Sequence, residues 1–290
     1  VLLYISFFPQ LIAGPIVQYK DIRPYLRGRS VDLESIFHGI RRFVVGLSKK
    51  VLLADTVAVV CNRLYAQADG EISGFAVWVA AIFYLFQIYF DFSGYSDMAI
   101  GLGEMLGFRF KENFNMPYTA SSVRDFWRRW HISLSTWFRD YVYIPLGGNR
   151  KGKMRTVVNR MTVFALTGIW HGAGLNFLLW GLWHGLFVSV EEFVPASKSV
   201  LRSVVGRIYT CLVVLVGFVL FRAETLGKAG KMLALMFTDF SFSASALSGA
   251  LRHLTPFVLV ILAVCVVVSV WKPKFALPAG LSNLLTLLLL

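Results

Sequence analysis

Long apolar runs separated by short basic loops set the pattern of this chain. Apolar stretches occupy residues 43–61, 74–92, 157–190, 208–221 and 256–270. A helix needs about 17 to 25 apolar residues to cross a bilayer, and several of these stretches come near that length. The pattern predicts an all-α, polytopic integral membrane protein. Residues 2–17 read differently, because Pro9, Gly14 and Pro15 interrupt the run. That is the pattern of a broken or re-entrant helix. Non-helical backbone survives at membrane depth only where protein or a water-filled cavity satisfies its polar groups, so the breaks predict an internal cavity.

Composition agrees with a membrane solvent. The 290 residues are 57% hydrophobic and 15% aromatic, and 16% are charged, against about 25% in an ordinary soluble domain. Mean hydropathy is +0.63. The formal net charge of +13 is concentrated in particular loops: residues 20–50 hold eight basic and three acidic side chains, and residues 109–160 hold eleven and three. The loop at 61–73 has one basic residue, Arg63, against Asp69 and Glu71. The cytoplasmic bias of Lys and Arg places both basic segments inside and the short loop outside, with two spans between them. Attraction to anionic lipid accounts for the same charge, and no nucleic-acid reading motif accompanies it.

Cys61, Cys211 and Cys265 are too few and too scattered for a disulfide framework or a zinc site, and no metal-binding spacing of His, Cys or Glu occurs. No repeat or long polar linker divides the chain, so residues 1–290 read as one membrane domain. A first residue Val1 and an apolar end at residues 287–290 suggest part of a longer protein. No signal-peptide or lipidation signature is present.

Three polar constellations stand out against this background. Residues 87–104 carry Asp91, Ser93, Asp97 and Glu104 directly after an apolar run. On a helix Ser93, Asp97 and Glu104 share one face. Buried carboxylates of this kind serve as anchors for basic partners on neighbouring helices or as proton relays. Residues 121–148 interleave Arg124, Trp127, Arg128, Arg129, Trp130, His131 and Trp137. Continuous helical spacing would stack Trp127 on His131 and Arg124 on Arg128. Such a segment suits the membrane interface, and its arginines could equally grip a phosphorylated donor.

The third constellation, residues 167–185, sets Trp170, His171 and Gly172 ahead of Asn176, Trp180 and His184. An ionisable side chain in an apolar segment is costly and marks a functional-site candidate. A neutral histidine in a low-dielectric setting can take the proton of an attacking hydroxyl. Packing or a structural hydrogen bond would explain the same residue, and the residues alone leave the two readings level. His171 and His184 are thirteen positions apart, which on one helix gives no metal pair.

The segments at 8–16, 89–97, 113–118, 126–137, 139–148 and 170–172, in that order, resemble the membrane-bound O-acyltransferase family. They are most similar to its bacterial branch that O-acetylates exopolysaccharides such as alginate. The resemblance is carried by residues 1–190. It implies a fold with a central tunnel through which an acyl group passes from a cytoplasmic donor to an outer-face acceptor. It places the family's near-invariant histidine on His171, as general base or transient acyl carrier, and a second polar position on His131. His38, His184 and His253 fall on no such position. Members of this branch extend further on the N-terminal side, so the first helices are expected outside this chain.

On that resemblance the donor is acetyl-coenzyme A, a substrate rather than a bound cofactor, docking near Arg124, Arg128 and Arg129. Trp127, Asp91 and Asp97 are expected near the donor or the tunnel, and Asn176 as an oxyanion donor. The resemblance also implies a bacterial inner-membrane location, an extracytoplasmic acetyltransferase partner protein and a polysaccharide as final acceptor. Teichoic-acid-type D-alanyl transfer and peptidoglycan O-acetylation are alternatives within the enzyme class. A transporter, a flippase or a scaffold for polysaccharide export would share the broken helices and midplane polar groups.

Overall fold

The computed structural model describes residues 2–6, 14–26, 28–68, 70, 72–194, 200–241 and 243–271. Asp69, Glu71, the run at 7–13 and the basic turn with Lys272 and Lys274 lie outside them. Secondary structure among the described residues is helical throughout, in chain order α1 (Leu2–Ile5), α2 (Tyr19–Ile22), α3 (Leu33–Ser48), α4 (Asp55–Gln67), α5 (Gly74–Met105), α6 (Val123–Arg129) and α7 (Ile132–Phe138). There follow α8 (Lys153–His171), α9 (Leu175–Val190), α10 (Val200–Arg222), α11 (Leu226–Thr238), α12 (Ala244–Leu251) and α13 (Pro256–Val270). Two of these contain segments long and apolar enough to cross a membrane, Gly74–Met105 and Ser203–Arg222. Helices α9 and α13 are apolar but shorter.

Helix starts follow local chemistry. Asp32, Ser73, Ser122, Thr225 and Thr255 each accept a hydrogen bond from a backbone N–H of the first turn, which satisfies a donor with no partner inside the helix. Pro256 at the start of α13 has no N–H to leave unpaired.

The expected span at 43–61 lies inside a longer rod. A π-helical stretch, Lys49–Ala54, joins α3 to α4 without a break, so helix continues from Leu33 to Gln67. The expected 74–92 is likewise extended to Met105, giving α5 32 residues. That exceeds the roughly 20 a bilayer requires, and the extra turns carry Asp97 and Glu104.

Helix α5 is the axis of the core, packing against α3, α4, α10, α11 and α12. Against α3 the approach is backbone to backbone. A Cβ on Gly46 would stand 2.5 Å from the Gly94 carbonyl oxygen, and one on Gly94 would stand 2.7 Å from that of Gly46. Only small residues permit such an approach. The outward faces of α10 and α13 leave Val205, Ile208, Phe257 and Val260 exposed, which suits contact with lipid.

Two readings of helical continuity are corrected. Residues 157–190 form not one run but a pair, α8 and α9, separated where Gly172 and Gly174 take up extended backbone. Nor is the segment at 121–137 one amphipathic helix. Trp130 is extended (φ −104°, ψ 129°) and His131 left-handed (φ 44°, ψ 55°), so α6 and α7 are separate and Trp127 does not stack on His131 by helical spacing. The break persists because an adjacent strap meets its hydrogen bonds. Asn113 accepts from Ile132 N (3.0 Å) through its carbonyl and from Ser133 N (3.1 Å) through its side chain. Asn115 N donates to the Arg129 carbonyl at 2.9 Å.

Candidate functional site

His171 is the last residue of α8, where Gly172 ends the helix. Its imidazole meets three aromatic rings, Trp170 at 4.8 Å, Trp180 at 5.0 Å and Phe221 at 5.1 Å between centroids. Those rings come from α8, α9 and α10, so the packing of three helices fixes the environment of one side chain. His131 is buried at the α6–α7 break, edge-on to Phe92 of α5 at 4.6 Å and 6.3 Å from Trp170. Trp170 therefore touches both histidines.

A cavity of about 460 Å³ opens between α6, α7 and α8, within the range of small-molecule sites. Neither histidine lines it; it meets the pair through Ile132, next to His131, and through Trp127, whose ring packs on Trp180 and so on His171. Arg124, Trp127, Arg128, Arg160, Phe164 and Thr167 are among its walls. Arg124 and Arg160 share the Glu192 carboxylate, at 3.1 and 2.7 Å. The neighbouring Glu191 carboxylate accepts from the backbone N–H groups of Val123 and Arg124 at 2.6 and 2.9 Å. The chain just beyond α9 thus holds the first turn of α6 against the cavity. The hydrogen bond from Arg160 holds the Glu192 carboxyl below its ordinary value of 4.5, and the charges of Arg160, Arg124 and Lys153 add to this against the opposing effect of burial.

Arg128, exposed at the cavity edge, has no carboxylate partner among the described residues. Arg129 faces elsewhere. It pairs with Asp125 at 2.9 Å, donates to Thr119 Oγ1 at 3.1 Å and is absent from the cavity wall.

The carboxylates of α5 meet cations of the α3–α4 rod. Asp97 pairs with Arg42 at 2.7 Å and Lys49 at 2.6 Å, while Arg42 also reaches Glu112 at 2.6 Å. Asp91 pairs with Lys50 at 2.8 Å. Both lysines lie in the π-helical stretch, whose wider turn brings them to α5. Asn176 donates its side-chain amide to the carbonyls of Leu220 (3.5 Å) and Ala223 (3.0 Å), tying α9 to the end of α10.

The structure thus brings His131, His171, Trp127, Arg124 and Arg128 into one region, and places Asp91, Asp97, Asn176 and Arg129 in ties between or within elements. Sequence reasoning named Trp180 within the third constellation without giving it a role, and did not single out Phe221, Arg160 or Glu192. Arg160 carried a readable signal, a cation inside an apolar run. Phe221 carried none, because aromatic residues are ordinary in apolar helices.

The chain belongs to MBOAT, the membrane-bound O-acyltransferase family, whose model matches residues 1–221 and with which the helical architecture agrees. Among its relatives, the probable alginate O-acetylase AlgI of Pseudomonas fluorescens is 46% identical over 249 residues, covering 85% of this chain and 50% of that protein. The peptidoglycan O-acetyltransferase of Helicobacter pylori is 40% identical over 238 residues, 80% of this chain and 45% of that protein. The teichoic acid D-alanyltransferase of Bacillus subtilis is 29% identical over 207 residues, 67% of this chain and 51% of that protein. The chain spans about half the length of the curated relatives it matches.

Proposed function

We propose that this protein is a membrane O-acyltransferase that passes an acetyl group from a cytoplasmic thioester, acetyl-coenzyme A, through the membrane for O-acetylation of an extracytoplasmic polysaccharide of the alginate kind. The observation that carries the reading is the convergence of His171 and His131 on Trp170 beside an arginine-lined cavity. The 46% identity to the Pseudomonas fluorescens relative supports the choice of acetyl group and glycan.

In this reading Arg124 and Arg128 hold donor phosphates at the cavity, and the acetyl thioester reaches His171 through a tunnel. His171 takes the proton of the attacking hydroxyl as its oxygen bonds to the carbonyl carbon. The sulfur leaves as thiolate and receives that proton. His131, buried against Phe92, positions the reacting groups. The protein sits as a multi-pass protein in a bacterial inner membrane and hands the acetyl group to an extracytoplasmic acetyltransferase partner. Peptidoglycan is the second acceptor to test, because a relative 40% identical bears that name.

The test is to supply labelled acetyl-coenzyme A to membranes holding the full-length protein and its partner, with His171→Ala as control. Label reaching glycan with the wild type and not with H171A is the expected result. Equal glycan acetylation by the H171A protein would overturn the assignment and favour a transporter or scaffold.

A further inference from the structure

Against His171 packs an aromatic cluster whose buried polar atoms are unpaired among the described residues. The indole N–H groups of Trp127 and Trp180 and both ring nitrogens of His184 have no hydrogen-bond partner among the described residues. The three rings pack on one another, Trp127 to Trp180 at 5.7 Å, Trp127 to His184 at 5.2 Å and Trp180 to His184 at 5.4 Å. Relative exposure is 9% for Trp127, 2% for Trp180 and 0% for His184. Gly217 makes room for the imidazole, since a Cβ there would stand 2.6 Å from His184 Nε2.

Most buried polar groups in folded proteins are paired, because an unpaired one has lost water and gained nothing. Four such atoms in one aromatic cluster therefore call for an explanation beyond packing. Position supplies it. Trp127 is part of the cavity wall, and the Trp180 ring packs on the His171 ring at 5.0 Å and 88°. Trp127 and Trp180 thus link the arginine-lined cavity to His171.

We infer that the Trp180 indole N–H, with that of Trp127 beside it, hydrogen-bonds the acyl carbonyl oxygen during transfer. This rests on the acyl-transfer reading and adds the group that receives the developing negative charge. As the acceptor hydroxyl oxygen bonds to the carbonyl carbon and its proton moves to His171, the C=O π pair moves onto oxygen. The indole N–H holds that oxygen. The pair returns as the C–S bond breaks, and the departing thiolate takes the proton from His171. A donor already desolvated and unengaged needs no reorganisation to make this bond, which is what lets it favour the transition state. The Asn176 amide is instead occupied by the Leu220 and Ala223 carbonyls.

The experiment replaces Trp180 with 3-benzothienylalanine, which keeps the bicyclic shape and exchanges the N–H for sulfur, in the full-length membrane protein with its partner. Trp180→Phe serves as the genetically encoded counterpart, and the same isostere is placed at Trp127. The readouts are kcat and KM for acetyl-coenzyme A and the melting temperature in detergent. Loss of one such donor costs about 100- to 1,000-fold in kcat, so a fall of that size at position 180, with KM within about 3-fold and melting unchanged, is the expected result. Retained kcat with the isostere, or a fall matched by loss of folded protein, overturns the inference in favour of packing. A wild-type protein that transfers no acetyl group in the same membranes sinks the acyl-transfer reading as well, whereas normal wild-type turnover together with normal isostere turnover sinks this inference alone.

Discussion

The imidazole of His131 and the indole of Trp170 lie 6.3 Å apart at 54°, although one belongs to the α6–α7 break and the other to the last turn of α8. Neither helix could achieve this alone. The contact requires the left-handed turn at His131 to be held by Asn113 and the end of α8 to be fixed against Trp180 and Phe221. Through that indole the two histidines are brought together.

The left-handed backbone at His131 gives a graded set of substitutions. Asparagine tolerates this conformation, whereas a β-branched residue is strained there by about 1–2 kcal/mol. His131→Asn is expected to retain the fold and lose most of the transfer activity, while His131→Val also lowers the melting temperature. Equal melting temperatures for the two variants would show that the turn does not depend on the residue that occupies it.

Arg128 and Arg129 are adjacent in sequence and differ in what they face. If Arg128 holds a donor phosphate, Arg128→Ala raises KM for acetyl-coenzyme A about tenfold, corresponding to about 1.4 kcal/mol. Arg129→Ala breaks an i,i+4 pair with Asp125, an interaction worth about 0.3–0.5 kcal/mol, and leaves KM unchanged. Steady-state kinetics in membranes separates them, and equal KM shifts would refute the asymmetry.

Asp97 neutralises two cations of the α3–α4 rod at once. Asp97→Asn leaves Lys49 without its ion-pair partner and Arg42 with Glu112 alone, each of these cations being 22% exposed. Hydrogen bonds to charged groups contribute about 1.5–3 kcal/mol, so a loss of stability of that order is expected in a thermal melt in detergent. A variant as stable as the wild type would mean that the charge is kept for proton transfer rather than anchoring.

Acid should loosen the clamp on α6. Arg160 holds the Glu192 carboxyl below its ordinary 4.5. A carboxylate depressed on folding stabilises the fold above its ordinary value, and that contribution is lost as pH falls through the lower folded value. Stability is therefore expected to decline below pH 4.5 and to do so less steeply in Glu192→Gln. Parallel acid limbs for the two proteins would exclude Glu192 as the responsible group.

Much of the architecture was legible because it depends on local pattern. The apolar runs at 208–221 and 256–270 fall within helices, the second with the bounds of α13 itself. Serine, threonine and aspartate mark several helix starts, since a side-chain oxygen there meets a donor created by the helix itself. The α6–α7 break was not legible. Residues 121–137 carry good helical spacing, and only a strap distant from the second half of that segment, at Asn113 and Asn115, offers the hydrogen bonds that make a left-handed His131 tolerable.

By itself the sequence determined the apolar setting, the helical class and His171 as a candidate, because hydropathy and the cost of an ionisable group in an apolar run are properties of short windows; His131 was singled out by the family resemblance. Only the tertiary structure decided which side chains share the site. It set Trp180 and Phe221 on His171, turned Arg129 away from the cavity and gave Asp97 to Arg42 and Lys49. Those choices depend on where separate helices cross, as α3 and α5 do through backbone contact at Gly46 and Gly94, one turn from Lys49 and Asp97 respectively.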